Sequence, residues 1–216
     1  MNKTHQKRSA MPTSWPVPRK GTTFVVKSNN GKGVPILVAL RDMLKVAKTR
    51  KEVKIALNME NVLINQRKVL NDKNAVCLFD VVTLVPSKSN FRMGLSNKGK
   101  FQLFEIKENE AQEKAMKVIS KTILKGKKIQ LNLGDGFNIT SDVKCNVNDS
   151  VIVNVQEKKI LSSLELKEKA NVLIIAGKHA GFFGQITSID TDKKMIELDS
   201  KGKTINALIK QIIIIK

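Results

Sequence analysis

The sequence predicts an α+β chain built from several small modules in series, and three observations carry that reading. Residues 1–35 hold seven Lys or Arg and no acidic residue, and their prolines and glycines exclude long regular structure. Residues 36–85 carry two apolar stripes at helical spacing followed by short strand-like runs. From Pro86 onward apolar and polar residues alternate between turn signals, the pattern of half-buried strands. Charge and punctuation thus divide the chain into a basic N-terminal arm (1–35), a helix-helix-β module (36–85), a central β-rich domain (86–165) and a C-terminal β module (166–216). Their net charges are +7, +4, +5 and +4.

The chain as a whole has 39 Lys and Arg against 19 Asp and Glu, a net charge of +20. Each cation that neutralises a phosphate releases condensed counterions, so this balance points to nucleic acid before any acidic protein. With 41% hydrophobic residues there is enough apolar material for a core, which argues against wholesale disorder. No run approaches the roughly 18 apolar residues of a membrane span, and the first residues lack the apolar stretch of a secretory signal. Cys77 and Cys145 lie far apart with no further Cys or His at metal-ligand spacing, so both read as buried thiols in a reducing compartment. A cytoplasmic protein without a Cys- or His-based metal site is the simplest expectation.

In the arm, Lys3, Lys7, Arg8, Arg19 and Lys20 are candidate phosphate contacts. The run Thr13-Ser14-Trp15-Pro16-Val17-Pro18-Arg19-Lys20-Gly21 reads as an extended ribbon, and residues before about Thr13 are expected to order only when RNA screens their charge. Trp15, the only Trp, has two roles open to it. Either its ring is buried and pins the arm to the folded body, or it stacks on a nucleobase beside Arg19 and Lys20.

The next module starts at Pro35, suited to a helix N-terminus, and continues with Ile36, Leu37, Leu40, Met43, Leu44 and Ala47 at helical spacing. Thr49-Arg50-Lys51-Glu52 forms a capping box that opens a second helix with Val53, Ala56 and Leu57 on its inner side. Arg50, Lys51 and Lys54 in its first turns, together with the free amides there, make an anion site; otherwise they form a solvated face. Val62-Leu63-Ile64 reads as a short buried strand, Asn65-Gln66-Arg67-Lys68 as a basic turn, and Asp80–Leu84 as the closing strand. This layout resembles the small RNA-binding module first described in ribosomal small-subunit protein S-four. The resemblance implies that Arg50, Lys51, Lys54, Arg67 and Lys68 grip RNA backbone. The chain departs from that module at Glu60 and Gln66, where the module usually carries Gly.

In the central domain strands are expected around Phe101–Ile106, Ile129–Leu133 and Val151–Val155. Turns are expected at Asn97-Lys98-Gly99, Gly134-Asp135-Gly136 and Asn148-Asp149-Ser150. Residues 110–124 fit either a helix or a strand from Met116 onward. Lys127 and Lys128, in a lysine-rich loop with Lys125, are phosphate contacts or merely solvated. Asp135 between two glycines is most simply a turn residue.

The sharpest local motif lies in the last segment. Val172–Ile186 places Gly177, Gly181 and Gly184 at fixed offsets between two apolar strands, with Lys178 and His179 in the intervening loop. No Gly-Lys-Ser/Thr follows, so this is not a nucleotide-binding loop. The run is similar to a KOW motif, which implies a small SH3-like barrel and makes Gly177, Lys178, His179, Gly181 and Gly184 candidate RNA contacts. The alternative is that the glycines serve only the turn of the barrel, and many such barrels bind protein.

The order of parts is more specific than any one of them. The Trp-Pro-Val-Pro-Arg-Lys-Gly arm, the run from Ile36 to Asp42, the S-four-like module, Lys128–Gly136 and the KOW loop together closely resemble the ribosomal S-four-e family of archaeal and eukaryotic small subunits. The resemblance implies a structural constituent of the ribosome with small-subunit ribosomal RNA and neighbouring ribosomal proteins as partners, and no catalytic residues, cofactor or small-molecule substrate. Two other classes share some of these parts. An RNA-modifying enzyme carrying the same RNA module needs a catalytic cleft, and nothing after Val85 supplies one. A transcription-associated KOW factor has no evident need of the basic arm.

Overall fold

The structure is a computed structural model that describes residues 5–126, 128–141, 143–200 and 202–215. The chain divides into two compact units. One spans residues 1–94 and 100–112, the other residues 95–99 and 113–216.

The first unit starts with the segment expected to be a ribbon, and here the structure corrects the expectation. Strand β1 (Gln6–Lys7) pairs antiparallel with β2 (Phe24–Val25), so the chain folds back on itself. Met11 and Trp15 are each only 3% exposed and belong to the unit's hydrophobic core. Two apolar anchors and one well-bonded arginine, described below, hold a segment whose charge alone suggested a loose tether.

β3 (Val34–Pro35) pairs with β6 (Ala75–Val76) and leads into a helical turn, α1 (Ile36–Val38). That turn continues not as an α-helix but as a π-helical stretch, Ala39–Met43, in which the Leu44 amide donates to the Ala39 carbonyl at 2.9 Å. Lys45 then takes a left-handed φ of 57° and ends the helix two residues short of Ala47. Helix α2 (Arg50–Asn58) forms as expected. The Glu52 amide donates to the Thr49 hydroxyl at 3.3 Å, and the Thr49 amide reaches the Glu52 carboxylate at 3.5 Å. The amides of Lys48 and Thr49 and the Thr49 hydroxyl hold the Glu52 carboxyl below the usual range, the Lys48 amide contributing most.

The sheet of this unit is antiparallel in the order β5 (Arg67–Lys68), β4 (Val62–Ile64), β7 (Val81–Leu84), β8 (Ser89–Leu95), β9 (Phe101–Ile106). The boundary expected at Pro86 therefore falls inside a sheet: β8 pairs with β7 from Ser89↔Leu84 to Arg92↔Val81, and both later strands join the first unit rather than the central domain. Val53, Leu57, Val62, Val82 and Met93 fill the core between helix and sheet.

Glu60 and Gln66 keep the turn geometry expected of glycine. Glu60 has φ 57° just past the end of α2, and Asn65 and Gln66 have φ 50° and 60° in the β4–β5 turn. Two successive left-handed residues make a type I′ hairpin, which favours Asn then Gly. Asn65 suits its place because its side chain donates to the buried Asp80 carboxylate at 2.6 Å and accepts from the Val81 amide at 2.9 Å. Gln66 has no such compensation. Gln66→Gly is expected to stabilise the protein by about 1 kcal/mol, read as a rise in melting temperature of a few degrees, whereas Asn65→Gly is expected to destabilise it.

The second unit contains two antiparallel sheets. One runs β12 (Asn138–Thr140), β11 (Ile129–Leu133), β10 (Glu113–Ile123), β13 (Ser150–Asn154), β14 (Lys159–Leu164). The segment left open between helix and strand is thus strand, β10. The other sheet runs β18 (Lys203–Leu208), β17 (Met195–Ser200), β16 (Phe183–Asp190), β15 (Asn171–Ile174), β19 (Ile212–Ile214). The first packs Met116, Val118, Leu131, Leu133, Val151 and Val153 into a core, and the second packs Val172, Ile174, Ile186, Ile196, Leu198 and Ile212. Cys77 and Cys145 are both buried, and burial chiefly pushes the Cys145 thiol up.

Two lysines of β10 are inside this unit, where sequence gives no reason to place them. Lys114 is 1% exposed and forms an ion pair with Asp135, with its ammonium 5.7 Å from the centre of the Phe137 ring. Asp135 is therefore more than a turn residue, since it neutralises a buried cation. Lys117 donates to the carbonyls of Ile209 and Ile212, the latter at 3.0 Å, and so ties the two sheets together beside the bond from the Ile214 amide to the Ser150 hydroxyl at 2.9 Å. Burial lowers the Lys117 pKa to about 8. A cation whose folded pKa lies below its unfolded one is destabilising while charged in both states. Between pH 8 and 10.5 the unfolded chain holds the extra proton, so stability rises with pH across that window. Subtracting the pH–stability curve of Lys117→Met from that of the wild type is expected to leave a rise of about 3 kcal/mol there, and a flat difference contradicts it.

Candidate nucleic-acid interface

In the first unit the basic residues gather on α2, on the β4–β5 hairpin and around a cleft beside the arm. Lys51 and Lys54 stand one turn apart on α2, both exposed, with Glu52 between them offsetting their unfavourable place at the positive end of the helix. Arg50 has a different part. Its Nε donates to the Asp72 carboxylate at 2.5 Å, and Asp72 is only 4% exposed in its side chain, so this pair fastens the start of α2 to the loop before β6. About half of the Arg50 side chain (49%) stays exposed. Arg67 and Lys68 are exposed on β5, where Lys68 pairs with Glu60 at 2.6 Å, an exposed bridge of small energetic weight.

Residues of the arm part ways in the same manner. Lys7, Arg19 and Lys20 are exposed, and Arg19 also donates to the Met11 carbonyl at 3.3 Å. Arg8 turns inward, donating to the carbonyls of Thr22 and Pro18 and to the Thr22 hydroxyl, each at 2.7 Å. It is the staple that closes the arm. Trp15 is buried and its Nε1 donates to the Gly33 carbonyl at 3.0 Å, so its ring offers no open face to a base. Of its two readings the stacking one is corrected. Lys3 lies outside the described residues.

Arg8 and Arg50 meet at one place. Both line a cleft of about 350 Å³ with Trp15 and Phe24 on its apolar side and Lys27, Arg41 and Lys73 as further cations. Among the described residues, no acidic one lines it. Nothing in the sequence singles out Lys27, Arg41 and Lys73, which are dispersed along the chain and which only the fold-back of the arm brings together. Arg41 is also bound to Asp42 at 2.8 Å.

In the second unit Lys128 is exposed, and Lys127 lies outside the described residues. The glycine-rich loop joins β15 to β16. Lys178 is exposed at its tip, and His179 stacks edge-on against Phe182 with centres 5.8 Å apart. Gly177 and Gly181 have φ of 91° and 90°. Gly181 and Gly184 are buried, and a Cβ on either would run into backbone, the Ser96 carbonyl for Gly181 and the Asp199 carbonyl for Gly184. Their expected RNA contact is therefore corrected to a structural one: they let strands and turns approach closely. Gly177 is exposed, against the Gln211 amide.

Comparison with known proteins gives the family of the chain. Residues 87–160 match ribosomal family S4e, residues 2–31 match the RS4NT domain, and residues 168–199 match the KOW motif. The chain is 36% identical over 191 residues to the small ribosomal subunit protein eS4 of Haloarcula marismortui, a match that covers 86% of this chain and 82% of that relative. The chain belongs to ribosomal family S4e. The eS4 protein of Archaeoglobus fulgidus is 34% identical over 87% of this chain and 81% of its own length. The crystal structure of the 30S ribosomal protein S4e from Thermoplasma acidophilum superposes with a TM-score of 0.72 at 26% identity, covering 84% of this chain and 94% of that one. Ribosomal family S4e is a family of structural proteins and not of enzymes, so the modifying-enzyme reading falls away.

Proposed function

We propose that this chain is a structural constituent of the small ribosomal subunit in the cytoplasm, where it binds the subunit's ribosomal RNA chiefly through phosphate and sugar. The reading rests first on one observation: cations left exposed by the fold recur in both units, with Lys51, Lys54, Arg67 and Lys68 in one and Lys125, Lys128 and Lys178 in the other. Such a spread suits a protein laid along a folded RNA, with contacts that position more than they specify. With one Trp, no Tyr and eight Phe in 216 residues, and the Trp buried, base stacking is a minor mode. We read α2 with the β4–β5 hairpin as the S-four-like backbone clamp, and the five strands from β15 to β19 as an SH3-like KOW barrel. Neighbouring ribosomal proteins complete the set of partners.

A filter-binding titration of the purified chain with small-subunit ribosomal RNA tests this. Affinity is expected to fall steeply with salt, log K against log salt having a slope of about −5 or steeper, the signature of six or more phosphate contacts. A shallow slope, with equal binding to unrelated protein partners, favours instead the transcription-associated KOW reading.

A further inference from the structure

One face of the central sheet carries chemistry that a purely cationic interface leaves unused. β10, β11 and β12 pair so that Ser120, Asn132 and Asn138 form one row across three strands, and Thr122, Gln130 and Thr140 form the next. Directly opposed residues share a face, as do residues two apart on a strand, so all six project on the same side. The other side presents Leu131, Leu133 and Ile139 to the core. Ser120, Thr122, Asn138 and Thr140 are exposed, Gln130 and Asn132 partly so, and none is charged in a chain of net charge +20.

Four of the six are also pre-arranged. Asn132 Nδ2 donates to the Ser120 hydroxyl at 2.9 Å and to the Thr122 hydroxyl at 3.0 Å, and Gln130 Nε2 donates to Asn132 Oδ1 at 2.8 Å. The Ser120 and Thr122 hydroxyls thus each accept a bond within the sheet, which leaves their own hydrogens for acceptors outside. Neighbouring strands lie about 4.8 Å apart and successive same-face residues about 7 Å apart, so the platform is about 10 Å across.

We propose that this face docks in the minor groove of a double-helical segment of small-subunit ribosomal RNA and reads its 2′-hydroxyls and base-edge acceptors. The inference rests on the RNA-binding reading above. The A-form minor groove is wide, shallow and lined by 2′-hydroxyls, which both donate and accept, so neutral amides and hydroxyls on an open sheet face match it where cations match phosphates. Charge around the platform fits the same occupant. Lys125 and Lys128 stand exposed at the hairpin end beyond the ladder, placed for groove-edge phosphates. A protein-binding centre would be expected to carry aromatic or large apolar side chains, and none of the six is one.

The test titrates the full chain, at one salt concentration, with three duplexes of about 20 base pairs: RNA, the same RNA fully 2′-O-methylated, and DNA of the same sequence. The wild type is expected to bind unmodified RNA about tenfold tighter than either of the others, the worth of one or two hydrogen bonds. Thr122→Ala/Gln130→Ala/Asn132→Ala is expected to erase that preference while keeping the salt slope. Lys125→Gln/Lys128→Gln is expected to weaken all three alike. The milder Ser120→Ala/Thr122→Val keeps the strands' shape and guards against a triple variant that fails to fold. A triple variant that melts like the wild type and still prefers unmodified RNA overturns the proposal, as does a wild type indifferent among the duplexes. So does a triple variant that keeps the preference but is lost from salt-washed subunits, which assigns the face to a protein neighbour. A wild type that binds no RNA of any kind overturns the RNA-binding reading itself.

Discussion

Trp15→Ala is expected to remove about 3–5 kcal/mol of stability, the largest loss of any single substitution considered. The indole is 3% exposed, contacts a core shared with α1, α2 and the sheet, and donates to the Gly33 carbonyl at 3.0 Å. The neighbouring Ser14 carbonyl accepts from the Phe101 amide at 2.8 Å, so loss of the anchor frees the edge of β9 as well. A domain of this size is commonly stable by about 5–15 kcal/mol, so the first unit would be left marginal. Circular dichroism should show its melting temperature lowered by roughly 15 °C or more. Trp15→Phe, which keeps most of the apolar volume and loses the bond, should cost far less. Because Trp15 is the only Trp, its fluorescence gives a second readout. Emission should be blue-shifted, resist acrylamide and stay unchanged when RNA is added, and strong quenching by RNA would restore the stacking reading.

Lys51→Glu/Lys54→Glu has the largest expected effect on binding. Both side chains are exposed on α2, so reversal should leave the fold intact while removing two phosphate contacts and adding repulsion. The slope of log K against log salt should become shallower by about 1.8, at roughly 0.9 per phosphate. Arg50 does not belong in that pair. Arg50→Glu would set a carboxylate against the buried Asp72 and lower stability by about 3 kcal/mol or more, so a fall in affinity there would report unfolding as well as lost contact. Equal salt slopes for the wild type and the Lys51/Lys54 variant would exclude α2 from the interface.

How much of this was open to a reading of the chain follows from the range of the interactions involved. The capping box at Thr49 and Glu52, the turns at Asn97–Gly99 and Gly134–Gly136, and the glycine offsets of the β15–β16 loop are local, and each is present where its residues indicated. The π-helical stretch at Ala39–Met43 has no local signature, because the apolar positions suit an α-helix equally well. The fold-back of the arm depends on Arg8 finding carbonyls ten and fourteen residues away. Lys117 is harder still, since a lysine is ordinarily solvated and its acceptors lie 92 and 95 residues further on. Among the candidate contacts, exposure separates what residue type does not. Lys7, Lys20, Lys51, Lys54, Arg67, Lys128 and Lys178 face solvent, while Arg8, Trp15, Gly181 and Gly184 are used by the fold. The polar ladder on β10–β12 was invisible for a related reason: its six residues come from three strands and no charge marks them.

The most direct measurement is sedimentation of the epitope-tagged chain from a cell lysate through sucrose gradients at increasing ionic strength. If exposed cations in both units hold the chain against small-subunit RNA, it should travel with the small subunit at moderate salt and leave it only in a high-salt wash, with Lys51→Glu/Lys54→Glu released earlier. A chain that stays at the top of the gradient at every ionic strength contradicts the ribosomal role.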